Sequence, residues 1–487
     1  MNLARLALCS RLPIFGLYGI PDPHGDPPGD VHDHGVTLFD DGRVVECVEL
    51  ERLTRIKHAN DLAQHLEALV SSDQFRLPRR FELVLVDSFA GRRFCSGTGL
   101  VEITGGTVRR VLASGPEPAR GHFAGHCPRL WVLNHELAHL GSLLPFTQGF
   151  EDGSLLVHID GGASRSNASV WVHSGRRLRL LYQSWKLTRE TCNFNLNPLS
   201  AALLGLAPGA NLGVAGRLMG YAAHGSAEPQ LAAWLRRHDW FQHDRRGAPG
   251  FIAAAAADLR WKAGSFDSHD PFLMDIAACM QEELRRSVCD LVLRFQAETG
   301  ARHLYYSGGV ALNVQINSEL ERRGTFSSIH IPPCCNDSGL AIGAAALFAY
   351  LRGDQIVGHS PFLNSFGLPS YRYAPRFDVR VLAARVAAGE VIAVATGPGE
   401  CGPRALGHRS LLASPAETAI RDRVSCIMKR REWYRPVAPV VLRTNACRLF
   451  DMPRSTWLAR FMLGSYVVHR HQRARIPGVV HSDGSAR

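Results

Sequence analysis

No run in this chain of 487 residues approaches the ~20 consecutive apolar residues that a membrane helix needs. The opening segment, residues 1–20, is mildly apolar, but Arg5 and Arg11 interrupt it and no small-residue cleavage site follows an apolar core. Cysteine is not scarce, at twelve residues, yet it lacks regular spacing, and the close pair Cys334-Cys335 is poorly placed to chelate together. That excludes a disulfide framework and fits reduced thiols in a cytoplasmic protein. An internal repeat and a low-complexity tail are also lacking. The formal net charge is +11, but most of the basic residues are arginines scattered along the chain. Scattered charge of that kind makes no nucleic-acid face, so neither nucleic acid nor membrane is an expected partner. What is present, 46% apolar and 20% charged residues, is ordinary for a globular enzyme of two or three domains.

Residues 14–50 alternate apolar runs with turns. Residues 14–19 read as a first buried strand, and Asp41-Gly42 between two β-rich runs is a hairpin signal. The Pro/Gly/His/Asp-rich residues 21–30 read as a loop. Further strands are expected at 81–86 and, as a hairpin turning at Ser174-Gly175, over 155–181. An amphipathic helical pattern covers 269–299 and stops at Gly300. A strand at 304–306, a helix over 310–323, a strand at His330-Ile331 and an Ala-rich helix to Leu351 follow. Residues 353–375, rich in Gly, Pro, Ser and Tyr, read as a linker. A second unit then has a strand at 391–394 and a helix near 415–430.

The chemistry is concentrated in a few strings. In Asn134-His135-Glu136-Leu137-Ala138-His139 the two histidines are four apart, so a helix puts both imidazoles on one face, able to grip one metal ion. Taken alone the segment is H-E-x-x-H, the zinc-protease motif with Glu136 as general base. Asp160-Gly161-Gly162 and Asp337-Ser338-Gly339 are acidic turns at strand ends, and beside the histidine pair they complete a His-His-Asp-Asp set suited to iron(II), manganese or zinc. Ser307-Gly308-Gly309-Val310-Ala311-Leu312-Asn313 follows a strand and opens a helix, where glycines and backbone amides can approach a phosphate. Residues 399–410, GECGPRALGHRS, hold Arg404 and Arg409 on a glycine-and-proline frame fit for an anion, and residues 429–436, KRREWYRP, add more cations. His32-Asp33-His34 and residues 51–58 bring acid, base and cation together near the N-terminus, with His32 a general-base candidate.

In this order the strings resemble the O-carbamoyltransferases of antibiotic and nodulation-factor biosynthesis, from about Phe15 to Arg487. The match also takes in Gly216-Arg217-Leu218-Met219-Gly220 and the terminal residues 481–487. The resemblance implies an α/β protein with three parts. Residues 1–353 would form an actin-like duplicated carbamoyl-transfer domain. Residues 354–378 would be a linker. Residues 379–487 would form a YrdC-like domain that joins carbamoyl phosphate to ATP, giving carbamoyl adenylate and pyrophosphate. That last domain is shortened, because members of the family continue past the position of Arg487.

Carried over residue by residue, the resemblance makes His135, His139, Asp160 and Asp337 metal ligands. Arg404, Lys429, Arg435 and Arg487 would hold carbamoyl phosphate. Gly216, Arg217, Ser307, Gly308, Gly309 and Asn313 would line the nucleotide, and His32 and Lys57 would act at the transfer site. The implied cofactors are ATP with Mg2+ and a divalent metal, iron(II) first and manganese or zinc otherwise. The implied acceptor is a hydroxyl of a natural product or sugar, and a homodimer suits the family. Two departures stand out: Glu136 where the family has a second histidine, and Arg217 where it has lysine. The competing functions are a nucleotide-binding paralogue without activity and a zinc metallopeptidase through His135-Glu136-x-x-His139.

Overall fold

The computed structural model describes residues 12–24, 31–73, 75–88, 91–105, 115–162, 164–184, 198–206, 211–241, 247–262, 266–366 and 378–487. Residues 25–30 of the expected loop and 367–377 of the expected linker lie outside these.

Apolar runs bounded by turns build the first sheet. Its strands are β1 (Ile14–Tyr18), β2 (Gly35–Asp40), β3 (Arg43–Glu49), β4 (Glu82–Asp87), β5 (Arg93–Cys95), β6 (Val101–Gly105), β7 (Glu117–Phe123) and β8 (Arg129–Asn134). The central order is β3-β2-β1-β4-β8, antiparallel among the first three and parallel from β1 through β4 to β8. The meander β5–β7 extends the sheet beyond β8. The second sheet contains β9 (Leu155–Ile159), β10 (Ala168–Ser174), β11 (Arg177–Ser184), β12 (His303–Ser307) and β13 (Ser328–His330). Its order, β11-β10-β9-β12-β13, repeats the central order of the first, again with two antiparallel and two parallel pairings. The repeat is one of topology, invisible as sequence repetition, and it is the duplicated actin-like arrangement.

Seven helices matter for the site: α1 (Leu50–Thr54), α2 (His135–Gly141), α3 (Val214–Tyr221), α4 (Pro271–Thr299), α5 (Val314–Arg322), α6 (Leu340–Arg352) and α7 (Val379–Ala387). Asp270 caps α4, Pro271 opens it, and Gly300 ends it at φ +68°, where glycine carries no Cβ penalty. Helix α2 follows β8 and α6 follows β13, the last strand of each five-stranded order, and they cross between the sheets. Every residue of α6 is buried. One apolar cluster joins Ile14, Val84 and Leu133 of the first sheet to Leu156 and Trp171 of the second through Leu137, Leu140, Leu340 and Leu347. The crossing is close because it is made on glycine. A Cβ on Gly343 would lie 1.8 Å from the Ala138 carbonyl oxygen, and one on Gly141 would lie 2.1 Å from that of Gly343.

After α6 the chain returns to the first sheet. Strand β14 (Phe362–Asn364), inside the segment expected to be a linker, pairs with β3 at Cys47. It is followed by β15 (Ile392–Ala395), β16 (Gly399–Glu400) and β17 (Arg409–Leu412). β16 joins β14, whereas β15 and β17 form a two-stranded sheet. The small sheet of β18 (Phe450–Asp451), β19 (Tyr466–Val468) and β20 (Ser485–Ala486) completes the C-terminal unit. The helix expected over 415–430 is only Thr418–Asp422 followed by a wider turn over Arg423–Met428. The helix expected from Val310 also starts later: residues 309–312 form a tight turn, and the α-helix begins at Val314. No helix among the described residues is long and apolar enough to cross a membrane.

Candidate active site

Helix α2 starts at the end of β8 because the Asn134 carboxamide accepts the Leu137 N–H at 2.8 Å, a side-chain N-cap. His135 and His139 then project from one face. Their Nε2 atoms are 3.0 Å apart. Asp160, just past β9, places Oδ2 3.2 Å from His139 Nε2. Asp337, just ahead of α6, places Oδ1 3.4 Å from His139 Nε2 and 3.5 Å from His135 Nε2. All four expected ligands therefore converge. Two buried imidazole nitrogens facing one another need a shared proton or cation between them. Two nitrogens with two carboxylate oxygens is a donor set that divalent iron, manganese or zinc accepts, so the residues fit the implied metal.

The electrostatics agree. Burial pushes His139 toward neutrality, but Asp160 and Asp337 outweigh it and raise its pKa to about 9. Burial raises the Asp337 carboxyl, yet His135 and His32 hold it well below the ordinary range. The Tyr18 hydroxyl donates to Asp337 Oδ2 at 2.7 Å and fixes the outer side of that carboxylate. His158 is a further imidazole at the cluster. It is fully buried, stacks on His139 with centroids 5.1 Å apart, and neither ring nitrogen has a partner among the described residues.

Glu136 points elsewhere. Its Oε1 accepts the Arg165 N–H at 2.7 Å and the Ser166 hydroxyl at 3.3 Å, pinning the loop after Asp160. A carboxylate held there cannot serve as the base of a zinc peptidase, and that reading fails on geometry.

Asp160 links the histidine pair to the glycine turn: its Oδ2 accepts the Gly309 N–H at 2.5 Å. Gly308 adopts φ +103° and packs against the Ile159 backbone, where a Cβ would meet the carbonyl oxygen at 2.2 Å. The Ser307 hydroxyl lies 3.3 Å from that of Ser142 on the α2 side. Asn313 is committed to structure. Its amide caps α5 and exchanges hydrogen bonds with Gln281 at 3.0 and 3.2 Å. Gly216 and Arg217 lie on α3, and Arg217 meets the KRREWYRP segment instead, its Nε 2.8 Å from Glu432.

The cations of the C-terminal unit gather with few acids. Arg404 donates to the Leu312 carbonyl at 3.3 Å, at the end of the glycine turn, while its Nε is enclosed without a partner. Burial and then the neighbouring Arg435 weaken its hold on its proton. Burial, Arg431 and Arg435 do the same to Lys429. Glu432 is shared between Arg217 and Arg435. Lys57, past α1, is lowered by burial first; Glu51 opposes this, and Arg435 and Arg431 add to it. Lys57 also lines a cavity of about 390 Å3 with Glu49, Arg52 and Arg409. Arg487 is anchored on the Met219 carbonyl at 3.1 Å and Asp483 at 2.8 Å. Glu400 braces the GECGPRALGHRS loop, its Oε1 accepting the N–H groups of Leu406, His408 and Arg409 at 2.8–3.0 Å.

Burial opposes the charged form of His32, but Asp337 and then Asp33 outweigh it and raise its pKa to about 9. A divalent ion held by Asp337 and Asp160 would cancel their share of that rise and return the ring toward the neutral form a base needs. Two residues here escaped sequence reasoning. Tyr18 lies 319 positions from its partner Asp337. His158 sits in a strand where a histidine carries no motif. His58, from the 51–58 string, joins Asp33 and His32 in a second cluster.

Comparison with known proteins shows the family. The family profile described as Carbamoyltransferase N-terminus matches residues 126–346, and Carbamoyltransferase C-terminus matches residues 383–487. Nodulation protein U of Sinorhizobium fredii is 32% identical, over 94% of this chain and 86% of that protein. Nodulation protein NolNO of the same species is 29% identical, over 94% of this chain and 69% of that one. Among solved structures, full-length HypF in its phosphate- and nucleotide-bound form has a TM-score of 0.36 at 12% identity, covering 72% of this chain and 57% of that one. The N-terminal profile takes in His135, His139, Asp160 and Asp337, and the C-terminal profile takes in residues 399–410 and 429–436. With both halves matched in order, this chain belongs to the carbamoyltransferase family.

Proposed function

We propose that the protein is an ATP-dependent O-carbamoyltransferase that uses carbamoyl phosphate and acts on a hydroxyl of a small natural product or sugar. Carbamoyl phosphate loses its phosphate to water. The resulting carbamate attacks the α-phosphorus of ATP, which releases pyrophosphate and leaves carbamoyl adenylate. The acceptor oxygen then attacks the carbamoyl carbon, AMP departs, and the acceptor proton goes to His32.

One observation carries this reading. Arg404, Lys429, Arg431 and Arg435 form a cation-rich cluster that reaches the glycine turn through Leu312 and reaches Lys57 electrostatically. Partly buried cations in such excess over acids, with Glu432 the carboxylate paired to Arg435, are a poor structural device and a good anion site. Carbamoyl phosphate and the ATP phosphates are anions of the required kind. Residues 307–309 offer the adjacent glycine-lined approach for a nucleotide. His135, His139, Asp160 and Asp337 would hold the divalent metal, which supplies charge stabilisation at phosphate oxygens when bound. Lys57, within electrostatic reach of that cluster, would supply a cation to the leaving AMP.

The test separates the two half-reactions. His32→Asn should leave carbamoyl-phosphate-dependent pyrophosphate release intact and abolish carbamoyl transfer to a panel of polyol and sugar acceptors. Loss of both activities, or of neither, would refute the assignment of His32.

A further inference from the structure

Resting on the reading of His32 as the base, we infer that Asp33 is a positioning residue that fixes the tautomer and orientation of that imidazole. His32 Nδ1 lies 3.2 Å from Asp33 Oδ2. A carboxylate only accepts, so the hydrogen of the neutral ring is on Nδ1 and the lone pair is on Nε2. No described residue is shown hydrogen-bonded to that Nε2, and the His32 side chain keeps 20% exposure, which leaves the lone pair for an acceptor. The carboxylate is itself held by two further donors. His58 Nδ1 lies 3.1 Å from Oδ1, and the Asn336 amide donates to Oδ2 at 3.1 Å. The Asn336 amide is turned that way because its own Oδ1 accepts from Ser338 at 3.0 Å. His58 is in turn located by its backbone N–H on Glu51 at 3.1 Å.

The backbone supports a functional placement. Asp33 has φ +56° and His58 has φ +59°. Non-glycine residues rarely occupy this left-handed region, and where they do the surroundings have fixed them there. Here the strain aims one carboxylate at two imidazoles. Asn336 directly precedes the ligand Asp337, so the loop that carries a metal ligand also sets the orientation of the base.

Substitution at Asp33 separates the role from the fold. Asp33→Gly removes the carboxylate and relieves the left-handed strain, so the loop keeps its path. In Asp33→Asn the amide oxygen remains opposite Asn336 and His32, because Asn336 only donates there. The new NH2 then faces His58, whose tautomer must reverse while that of His32 is kept. Two readouts are needed on the full-length, Zn2+-loaded protein. The first is the imidazole 15N shift pattern, with the His32 signal identified by its absence in His32→Asn. The second is transfer to water, read as AMP formed after a first turnover of pyrophosphate release from ATP and carbamoyl phosphate.

The expected result is that Asp33→Gly moves the His32 hydrogen to Nε2 and lowers AMP formation about 100-fold, the lower end of what a positioned base contributes, while first-turnover pyrophosphate persists. Asp33→Asn should retain the His32 tautomer and more transfer than Asp33→Gly. If His32→Asn abolishes transfer but Asp33→Gly changes neither tautomer nor rate, the positioning role is wrong and the base stands. If His32→Asn also leaves AMP formation unchanged, the base reading itself is wrong and the proposal falls with it. Two bound divalent ions per chain, one of them lost in Asp33→Gly, would overturn it differently, by making His32, Asp33 and His58 a second metal site.

Discussion

Gly343→Ala places one methyl group where helices α2 and α6 cross. The added Cβ would stand 1.8 Å from the Ala138 carbonyl oxygen and 2.7 Å from the Ser142 backbone nitrogen. Both are backbone atoms at helix α2, so no side-chain rotation can absorb the clash. Restoring a contact of ~3.5 Å requires the helices to part by roughly 1.7 Å. Overpacking of this kind costs about 1–3 kcal/mol, and the rigid setting favours the upper end. The consequence for the site is larger than for the fold. Ala138 adjoins His139, while Asp337 sits at the start of α6, so the displacement separates ligands that must meet on one ion. A shift of roughly 1.7 Å exceeds the ~0.5 Å within which a constellation works, and metal affinity should fall at least ~10-fold. Urea unfolding and competitive metal titration measure the two effects. Gly216→Ala is the control: that glycine lies on α3 with nothing within 4 Å of its added Cβ, and the change should stabilise by about 0.5–1 kcal/mol. If Gly343→Ala unfolds at the wild-type urea concentration and binds metal equally well, the close crossing does not position the ligands.

Further outcomes follow from the same contacts. Gly308→Ala, at φ +103° against the Ile159 carbonyl, should abolish ATP binding in calorimetry while urea unfolding still reports a cooperative fold; unchanged affinity would remove the turn from the nucleotide site. Arg404→Met should weaken pyrophosphate binding by about tenfold or more and leave stability equal or higher, since it deletes a cation with no carboxylate partner; a large loss of stability would make Arg404 structural. Burial raises the Glu400 carboxyl, but its backbone donors, Leu406 first, hold it below its ordinary value of 4.5. A lowered folded pKa means that its stabilisation is present above pH 4.5 and is lost as the pH falls through the folded value. Glu400→Gln should therefore cost about 1–2 kcal/mol at pH 7 and flatten the acid limb of the urea-stability profile; parallel profiles would contradict the bracing role.

Much of the site was legible because its signals are local. The four-residue spacing of His135 and His139 needs only a helix, and the Asn134 cap supplies its start. Asp160 stands at a strand end before Gly161, as an acidic turn reads, whereas Asp337, expected at a strand end, instead opens the turn into α6, seven residues after β13. The β2–β3 and β10–β11 hairpins fall at their turn residues, and α4 ends at Gly300. What could not be read is long-range or conformational. Tyr18 meets Asp337 only because β1 lies beside α6. Asn313 looks like part of a phosphate turn but is occupied by Gln281, a partner on α4. The left-handed backbone of Asp33 has no compositional sign. Strand β14 was hidden in a Gly/Pro/Ser-rich segment, since three residues that pair with β3 and β16 show no periodicity. The duplication of the two sheets is likewise a property of strand order, and no residue pattern repeats to announce it.

The most direct test of the central claim is pyrophosphate release from ATP by the full chain, loaded with a divalent metal, with and without carbamoyl phosphate. The account predicts release only when carbamoyl phosphate is present, and its loss in Arg404→Met. Release that ignores carbamoyl phosphate, or none at all from a protein that still binds ATP, would contradict it.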